Sequence, residues 1–210
     1  MIIAIDGPAA AGKGTLARRL AEKLNFAYLD TGALYRATGL KMLRAGDDPS
    51  DPVLAAAASS DLDPALFSDP ALRHEETGSA ASKVAAVPAV RANLLAFQRN
   101  FASRPPEGKV GAVLDGRDIG TVVCPDADLK LFITASAEER AKRRFIEQKE
   151  RVGSADFDAI LADVIARDDR DINRADAPLK PAENAHLLDT TKLDIDAVFD
   201  AAVTLVRSVQ

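Results

Sequence analysis

Lys13 and Thr15 carry the first recognisable chemistry in the chain. They end the run Gly7-Pro8-Ala9-Ala10-Ala11-Gly12-Lys13-Gly14-Thr15, a glycine-bounded loop with a cation and a hydroxyl at its close. Gly7 and Gly12 permit backbone angles that turn several N–H groups into a cup around anionic oxygens. A helix starting beneath the loop adds its partial positive charge. Lys13 has the reach for β- and γ-phosphates, and the Thr15 hydroxyl can ligate Mg²⁺. The usual pattern sets Ser or Thr directly after the lysine; here Gly14 intervenes and the hydroxyl follows one residue later. This is the signature of a nucleotide-phosphate site, and the alternative is a tight strand–helix turn that binds nothing.

Other candidates are charged. Phosphoryl transfer needs positioning and neutralisation of developing charge more than a covalent catalyst. Guanidinium groups grip phosphate oxygens in pairs. Arg36, Arg117, Arg167, Arg170 and Arg174 come from separate segments. The stretch from Arg140 to Arg151 supplies a second group that could close over a nucleotide as a lid. Asp115, after an apolar run, is placed to hold Mg²⁺ directly or through water; otherwise it is a turn former. Arginine-rich helices have a plainer explanation as solvated faces with i,i+4 pairs. Five consecutive charges over Arg167–Asp171, with Asn173 and Arg174 beyond, exceed what that needs. Cys124 reads as a small core residue with nothing nearby to activate it, and His74 and His186 read as incidental.

These residues need a scaffold. Ile2-Ile3-Ala4-Ile5 reads as a buried strand, and Leu16, Ala17, Leu20, Ala21 and Leu24 mark a helix after Thr15. Further strands are expected at 26–29, 110–114, 129–134 and 186–189. Helices are expected at about 33–45, after Pro52, from 79 to 103 with a break near Val87 at Pro88, from a Ser136/Glu139 capping box, through 167–171, and from Asp194 to Ser208. Residues 61–80 read as an irregular arm. Short apolar strands separated by helices indicate an α/β fold, a parallel sheet covered on both faces. Ligands in such sheets lie outside the strands' carboxyl ends, where Gly7–Thr15, Asp30-Thr31 and Asp115–Asp118 fall. One domain is expected, with a core of 1–45, 105–140 and 172–210, an arm at 46–104 and a lid at 141–171.

The 210 residues are 47% hydrophobic and 28% charged, ordinary for a globular domain. A net charge of −5 gives no electrostatic case for nucleic acid as partner. The single cysteine excludes an intrachain disulfide and a cysteine metal cluster. Without an apolar stretch near membrane length or a signal peptide, no membrane partner and a cytoplasmic location are expected.

Taken as a set, the motifs are more specific. GPAAAGKGT (7–15), LDTGALYR (29–36), DGRDIGTVV (115–123) and RDDRDINRADAPL (167–179) resemble those of the bacterial cytidylate kinases over nearly the whole chain. The resemblance implies a nucleoside monophosphate kinase-like three-layer fold, with five parallel strands in the order 2-3-1-4-5, an acceptor-binding arm and a lid. It implies transfer of the γ-phosphoryl of ATP to CMP or dCMP with Mg²⁺, by a monomer. It sets Gly7, Pro8, Ala9, Ala10, Ala11, Gly12, Lys13, Gly14 and Thr15 on ATP, and Thr15 and Asp115 on the metal. Thr31, Arg167 and Asp171 fall where the acceptor's ribose is held. Arg36, Arg117 and Arg174 fall where its phosphate or nearby groups are contacted, and Ser82, Arg91 and Asp118 fall where cytosine is read. Lys13, Arg117, Arg143 and Arg174 are the catalytic set it implies, Arg143 from the lid.

The base assignment has its own logic. Cytosine shows an amino donor beside two acceptors, so a carboxylate and an arginine complement it. Uracil would leave a buried carboxylate facing a carbonyl. The chain departs from the family in having Ala9 and Ala10 where GPSGAGKGT is common. Its arm between Asp63 and Ser79 is also shorter than in members with an extra strand pair. Another P-loop kinase, acting on shikimate, AMP or UMP, and an ATP-sensing switch are the competing readings.

Overall fold

The computed structural model describes residues 1–209. Five parallel strands form one sheet in the order β2-β3-β1-β4-β5. These are β1 (Ile2–Asp6), β2 (Ala27–Asp30), β3 (Ala112–Gly116), β4 (Leu129–Thr134) and β5 (His186–Asp189). β1 is central, with Asp6 opposite Gly116 on one side and Phe132 on the other. β2 enters beside β3 so that Asp30 lies opposite Asp115. The carboxyl ends of three strands therefore deliver Asp6, Asp30 and Asp115 to one edge.

Alternation along β1 explains both layers, since successive side chains of a strand point to opposite faces. Ile3 and Ile5 pack with Leu16 and Leu20 of α1 (Lys13–Leu24) and Val198 and Ala202 of α8 (Ile195–Ser208). Ala4 faces the other way, with Leu114 and Ile119, beneath Ala102 of α5 (Pro88–Ser103). A second apolar cluster joins α2 (Thr31–Ala45), α3 (Pro52–Ser60), α4 (Glu75–Val84) and α5 through Leu34, Met42, Ala55, Val84 and Val90. A third, small one joins α6 (Ala137–Val152) to α7 (Phe157–Asn173) through Ala141, Ile160 and Val164. Among the described residues, no helix is long and apolar enough to cross a membrane.

Several boundaries differ from the sequence expectation for identifiable reasons. α1 starts at Lys13 rather than after Thr15, because Gly12 at φ 90 turns the chain directly into the helix. α2 starts at Thr31 rather than Ala33, because Asp30 caps it through the Ala33 N–H. β3 starts at Ala112 rather than Val110, which is exposed. Residues expected to be irregular up to 80 instead hold two 3-10 turns, Pro64–Ser68 and Pro70–Arg73, followed by α4 from Glu75. The break at Pro88 is as expected, with α4 ending at Val84 and Val87 preceding α5. Only half of the Ser136 capping box forms. Ser136 Oγ accepts from Glu139 N, but Ser136 N donates to Thr191 and the Glu139 carboxylate turns to Arg143.

Candidate active site

The loop after β1 is built by close approach. A Cβ on Gly7 would lie 1.9 Å from the Ile133 carbonyl oxygen, so no side chain fits there. α1 follows Gly12 with no side chain capping its first turn, which leaves its N–H groups available to an anion. Lys13 is buried, and its Nζ donates to the Pro8 carbonyl at 2.8 Å. Burial, then repulsion from Arg117, pushes Lys13 down to about 7.

The metal candidates separate. Thr15 is exposed on α1 and does not line the cleft, so the structure does not bring it to Asp115. Gly14 is the residue that faces Asp115; a Cβ there would lie 3.3 Å from Asp115 Oδ2. The glycine leaves open space beside a carboxylate that burial and neighbouring Asp30 push up to about 6. The buried Tyr28 hydroxyl, without a partner, is 3.7 Å from the same point. Two oxygens thus face this space, with an Arg18 guanidinium nitrogen 3.8 Å from the same point, and oxygen ligands suit Mg²⁺. Among the described residues no cluster of three or more His, Cys, Asp or Glu could hold an ion alone. The surround therefore fits an ion that keeps water or phosphate oxygens as its remaining ligands.

Across from the loop lies a cleft of about 470 Å³. Lys13, Gly14 and Asp115 line it, as do all the acceptor-side candidates: Thr31, Arg36, Ser82, Arg91, Arg117, Asp118, Arg167, Asp171 and Arg174. Segments far apart in sequence thus converge on one space. Ala9 and Ala10 border it, whereas Gly7, Pro8, Ala11 and Gly12 lie behind it in the loop.

Carboxylates fix the arginines. Arg36 pairs with Asp30 at 2.6 Å, and Arg117 Nε with Asp171 at 2.8 Å. Burial alone would lower Arg117, but Asp171, together with Asp115 and Asp30, outweighs it and holds the group above its ordinary value. Thr31 Oγ1 donates to the Asp115 carbonyl at 2.7 Å, so its lone pairs remain for a ligand. Deepest is the pair Arg91–Asp118, both buried. Arg91 also donates to the Tyr35 hydroxyl at 3.3 Å and lies against that ring. Arg174 Nη2 approaches Asp118 Oδ1 to 3.6 Å without a hydrogen bond, leaving that oxygen open. Burial and the neighbouring Arg91 lower Arg174 from its ordinary value.

The helices at 137–173 bring further arginines over the cleft. Arg143 does not line it. Its guanidinium bonds Thr190 and lies 4.0 Å from the Cβ position of Gly12, on the loop's outer side. Arg167 donates to the Gly78 carbonyl at 2.6 Å, and Arg170 Nε to Ser82 Oγ at 3.1 Å. Arg144 pairs with Glu75, and Arg151 donates to the Arg73 carbonyl. α6 and α7 therefore sit directly against α4.

Two residues make contacts that the sequence alone does not show. Arg140, nearly all buried, donates to the Ala9 carbonyl at 3.2 Å and pairs with Asp168, so α6 and α7 are tied to the loop itself. Asp6 is the other. Its two carboxylate oxygens accept from Ile119 N and Gly120 N, each at 2.7 Å, pinning the backbone just after Asp118. Burial pushes it up to about 6. The available signal was a carboxylate ending an otherwise apolar strand, which a buried strand carries only when something must be held.

A loop of this kind, at the carboxyl edge of a 2-3-1-4-5 parallel sheet, makes the chain a P-loop protein of the kinase-like class. A solved structure of an uncharacterised protein from Eubacterium ventriosum shares the fold, with a TM-score of 0.56 at 16% identity over 99% of each chain. The model of the family "Cytidylate kinase" matches residues 3–208. A cytidylate kinase of Paramagnetospirillum magneticum is 59% identical over 99% of this chain and 98% of its own. One of Bradyrhizobium sp. is 55% identical over 100% of this chain and 97% of its own. The chain belongs to the cytidylate kinase family.

Proposed function

We propose that the chain transfers the γ-phosphoryl group of Mg²⁺-ATP to CMP or dCMP, giving ADP and CDP or dCDP, as a monomer in the cytoplasm. The observation that carries the acceptor assignment is the buried Arg91–Asp118 pair, in one cleft with the Lys13 loop. Asp118 Oδ1 accepts from the cytosine amino group, and Arg91 and Ser82 donate to the ring acceptors. A uracil in that place turns a carbonyl towards Asp118 and leaves a buried carboxylate unpaired.

The remaining roles follow from charge and position. Residues 46–104 act as the acceptor arm and 141–171 as the lid. The N–H groups of the 7–15 loop and Lys13 hold the ATP phosphates, with Thr15 reaching them from outside. Arg36, Arg117 and Arg174 grip the acceptor phosphate; Thr31, Arg167 and Asp171 bound its sugar. Lys13, Arg117, Arg143 and Arg174 then offset the charge that spreads over the transferred group. Asp115, aided by the space at Gly14, holds the metal through its water ligands. Mg²⁺ bound there supplies charge neutralisation to the phosphate oxygens. Closure of α6 and α7 excludes water, which would otherwise compete with the acceptor oxygen for the phosphoryl group.

A coupled ADP-release assay with CMP, dCMP, UMP, AMP and shikimate tests this. Turnover on CMP and dCMP with little on UMP is expected. Preference for another acceptor would discard the base argument, and ATP loss without any acceptor would make the protein a nucleotide switch.

A further inference from the structure

A helical serine ordinarily turns its hydroxyl proton back to the carbonyl four residues earlier. For Ser82 that carbonyl belongs to Gly78, and Arg167 Nη2 already donates to it at 2.6 Å. Gly78 makes the arrangement possible, because a Cβ there would lie 2.8 Å from Arg167 Nη2. One lone pair of Ser82 Oγ is taken by Arg170 Nε at 3.1 Å. A guanidinium has no acceptor and stays protonated, so the Ser82 proton cannot point towards Arg170. Among the described residues, that proton has no acceptor, and Ser82 lines the cleft.

Arg170 has no other visible task. It forms no ion pair among the described residues, and its Nη2 is buried without a partner. Its one side-chain hydrogen bond goes to Ser82. We infer that Arg170, with Arg167 occupying the Gly78 carbonyl, positions Ser82 as an obligate hydrogen-bond donor to the acceptor base, and so sets base selectivity from the lid. The inference rests on the cytosine reading of the cleft. Two donors, Ser82 and Arg91, and one acceptor, Asp118, match a base with two acceptors beside an amino group. Uracil carries N–H at the ring position where cytosine has a lone pair, so it meets a donor with a donor. Because Arg170 is on α7 and Ser82 on α4, the donor is directed only while α7 lies against α4. Base reading and closure become one event.

The test is a double-mutant cycle on the full chain with Mg²⁺-ATP, reading kcat/KM for CMP and UMP. Arg170→Gln and Ser82→Ala should each lower the CMP:UMP ratio by about tenfold, the scale of one hydrogen bond. The double variant should match Ser82→Ala alone, and Arg170→Lys should recover part of the ratio. Gly78→Ala displaces Arg167 and returns the carbonyl to Ser82, so it should lower the ratio with Arg170 in place, whatever the folding of the Arg170 variants. An Arg170→Gln enzyme that slows both acceptors equally would overturn the inference, leaving Arg170 a donor-side or structural group. So would additive losses in the cycle, or an unchanged ratio in Gly78→Ala. Wild-type enzyme that turns over neither CMP nor dCMP would remove the function reading and this inference with it; CMP turnover with an additive cycle removes only the inference.

Discussion

The two halves of the cleft are held by different physics. The 7–15 loop is made of backbone: a glycine against the Ile133 carbonyl, an uncapped helix start, and a lysine folded onto its own Pro8 carbonyl. The acceptor half is made of side chains. Arg36, Arg91, Arg117 and Arg174 reach it from four segments and face Asp30, Asp118 and Asp171 across it. A backbone cup recognises any phosphate, whereas paired side chains recognise one arrangement of donors and acceptors. Damage to the second half should therefore change which acceptor is used, and damage to the first should change affinity for every nucleotide.

The sharpest break is Asp118→Ala. Truncating one partner of a buried charge pair costs roughly 2–5 kcal/mol, and here Arg91 keeps only the half-exposed Asp176 while Arg174 loses the carboxylate beside it. We expect kcat/KM for CMP to fall by about a thousandfold, from ~4 kcal/mol, with the KM for ATP within about twofold. Steady-state kinetics with each substrate varied in turn checks it. An equal rise in both KM values would mean that the two halves are not separable.

Asp6 joins the halves, since it precedes Gly7 and bonds the two amides after Asp118. Asp6→Asn keeps the size but turns an amide donor against one of those N–H groups. We expect a loss of about tenfold in CMP kcat/KM, matching one broken buried hydrogen bond. The pH dependence of stability gives a second reading. Asp6 binds its proton more tightly folded, at about 6, than at its ordinary 3.8. Its contribution to stability is thus present below pH 4 and lost as pH rises through about 6. Asp115 carries the same sign, its value also raised to about 6. Thermal unfolding from pH 4 to 7 should show a shallower fall in Asp6→Asn than in wild type; an identical slope would remove Asp6 from the account.

Legibility divides along the same line. The loop was readable because its parts are contiguous, and a glycine–lysine spacing survives without knowledge of the fold. The sheet was readable because short apolar runs alternate with helical periodicity. From composition and spacing alone, nothing paired Arg91 with Asp118, 27 residues apart; only the family resemblance set them together. The contacts of Asp6 and Arg140, and that between Arg170 and Ser82, lay beyond both readings. Their partners are backbone groups or side chains that only the folded chain brings near, and a charged residue looks the same in sequence whether it is solvated or buried. The start of α1 has a local cause: the helix begins at Lys13, three residues before the expected Leu16, which leaves Thr15 exposed on its first turn and turns Gly14 to Asp115.

The donor half makes its own prediction about protons. Lys13 is held at about 7, so at pH 8 it is mostly neutral in the free protein. Phosphate oxygens beside it favour the charged form. ATP binding at pH 8 should then take up a large fraction of a proton, with apparent affinity falling as pH rises above about 7. Asp6 and Asp115, both near 6, are already ionised there and do not contribute. Titration calorimetry in two buffers of different ionisation enthalpy reads the uptake directly. Equal heats in both would show that Lys13 carries its charge before the nucleotide arrives.

The smallest effect lies inside the loop, where two neighbours respond oppositely to one methyl group. Gly7→Ala would drive a Cβ into the Ile133 carbonyl and should abolish folding of the loop. Ala10 already carries a Cβ at φ 59, in the left-handed region that favours glycine. That conformation costs an alanine about 1–2 kcal/mol. Ala10→Gly relieves this cost but widens the unfolded ensemble, returning about 0.4–1 kcal/mol. The net expectation is a gain of about 0.5–1 kcal/mol, or roughly 2 °C in Tm for a chain of this size. The KM for ATP should stay within about twofold, because Gly12 and Lys13 continue to set the cup. A fall in Tm would mean that Ala10 is held by contacts stronger than its backbone strain, and that a loop made of backbone is here also made of packing.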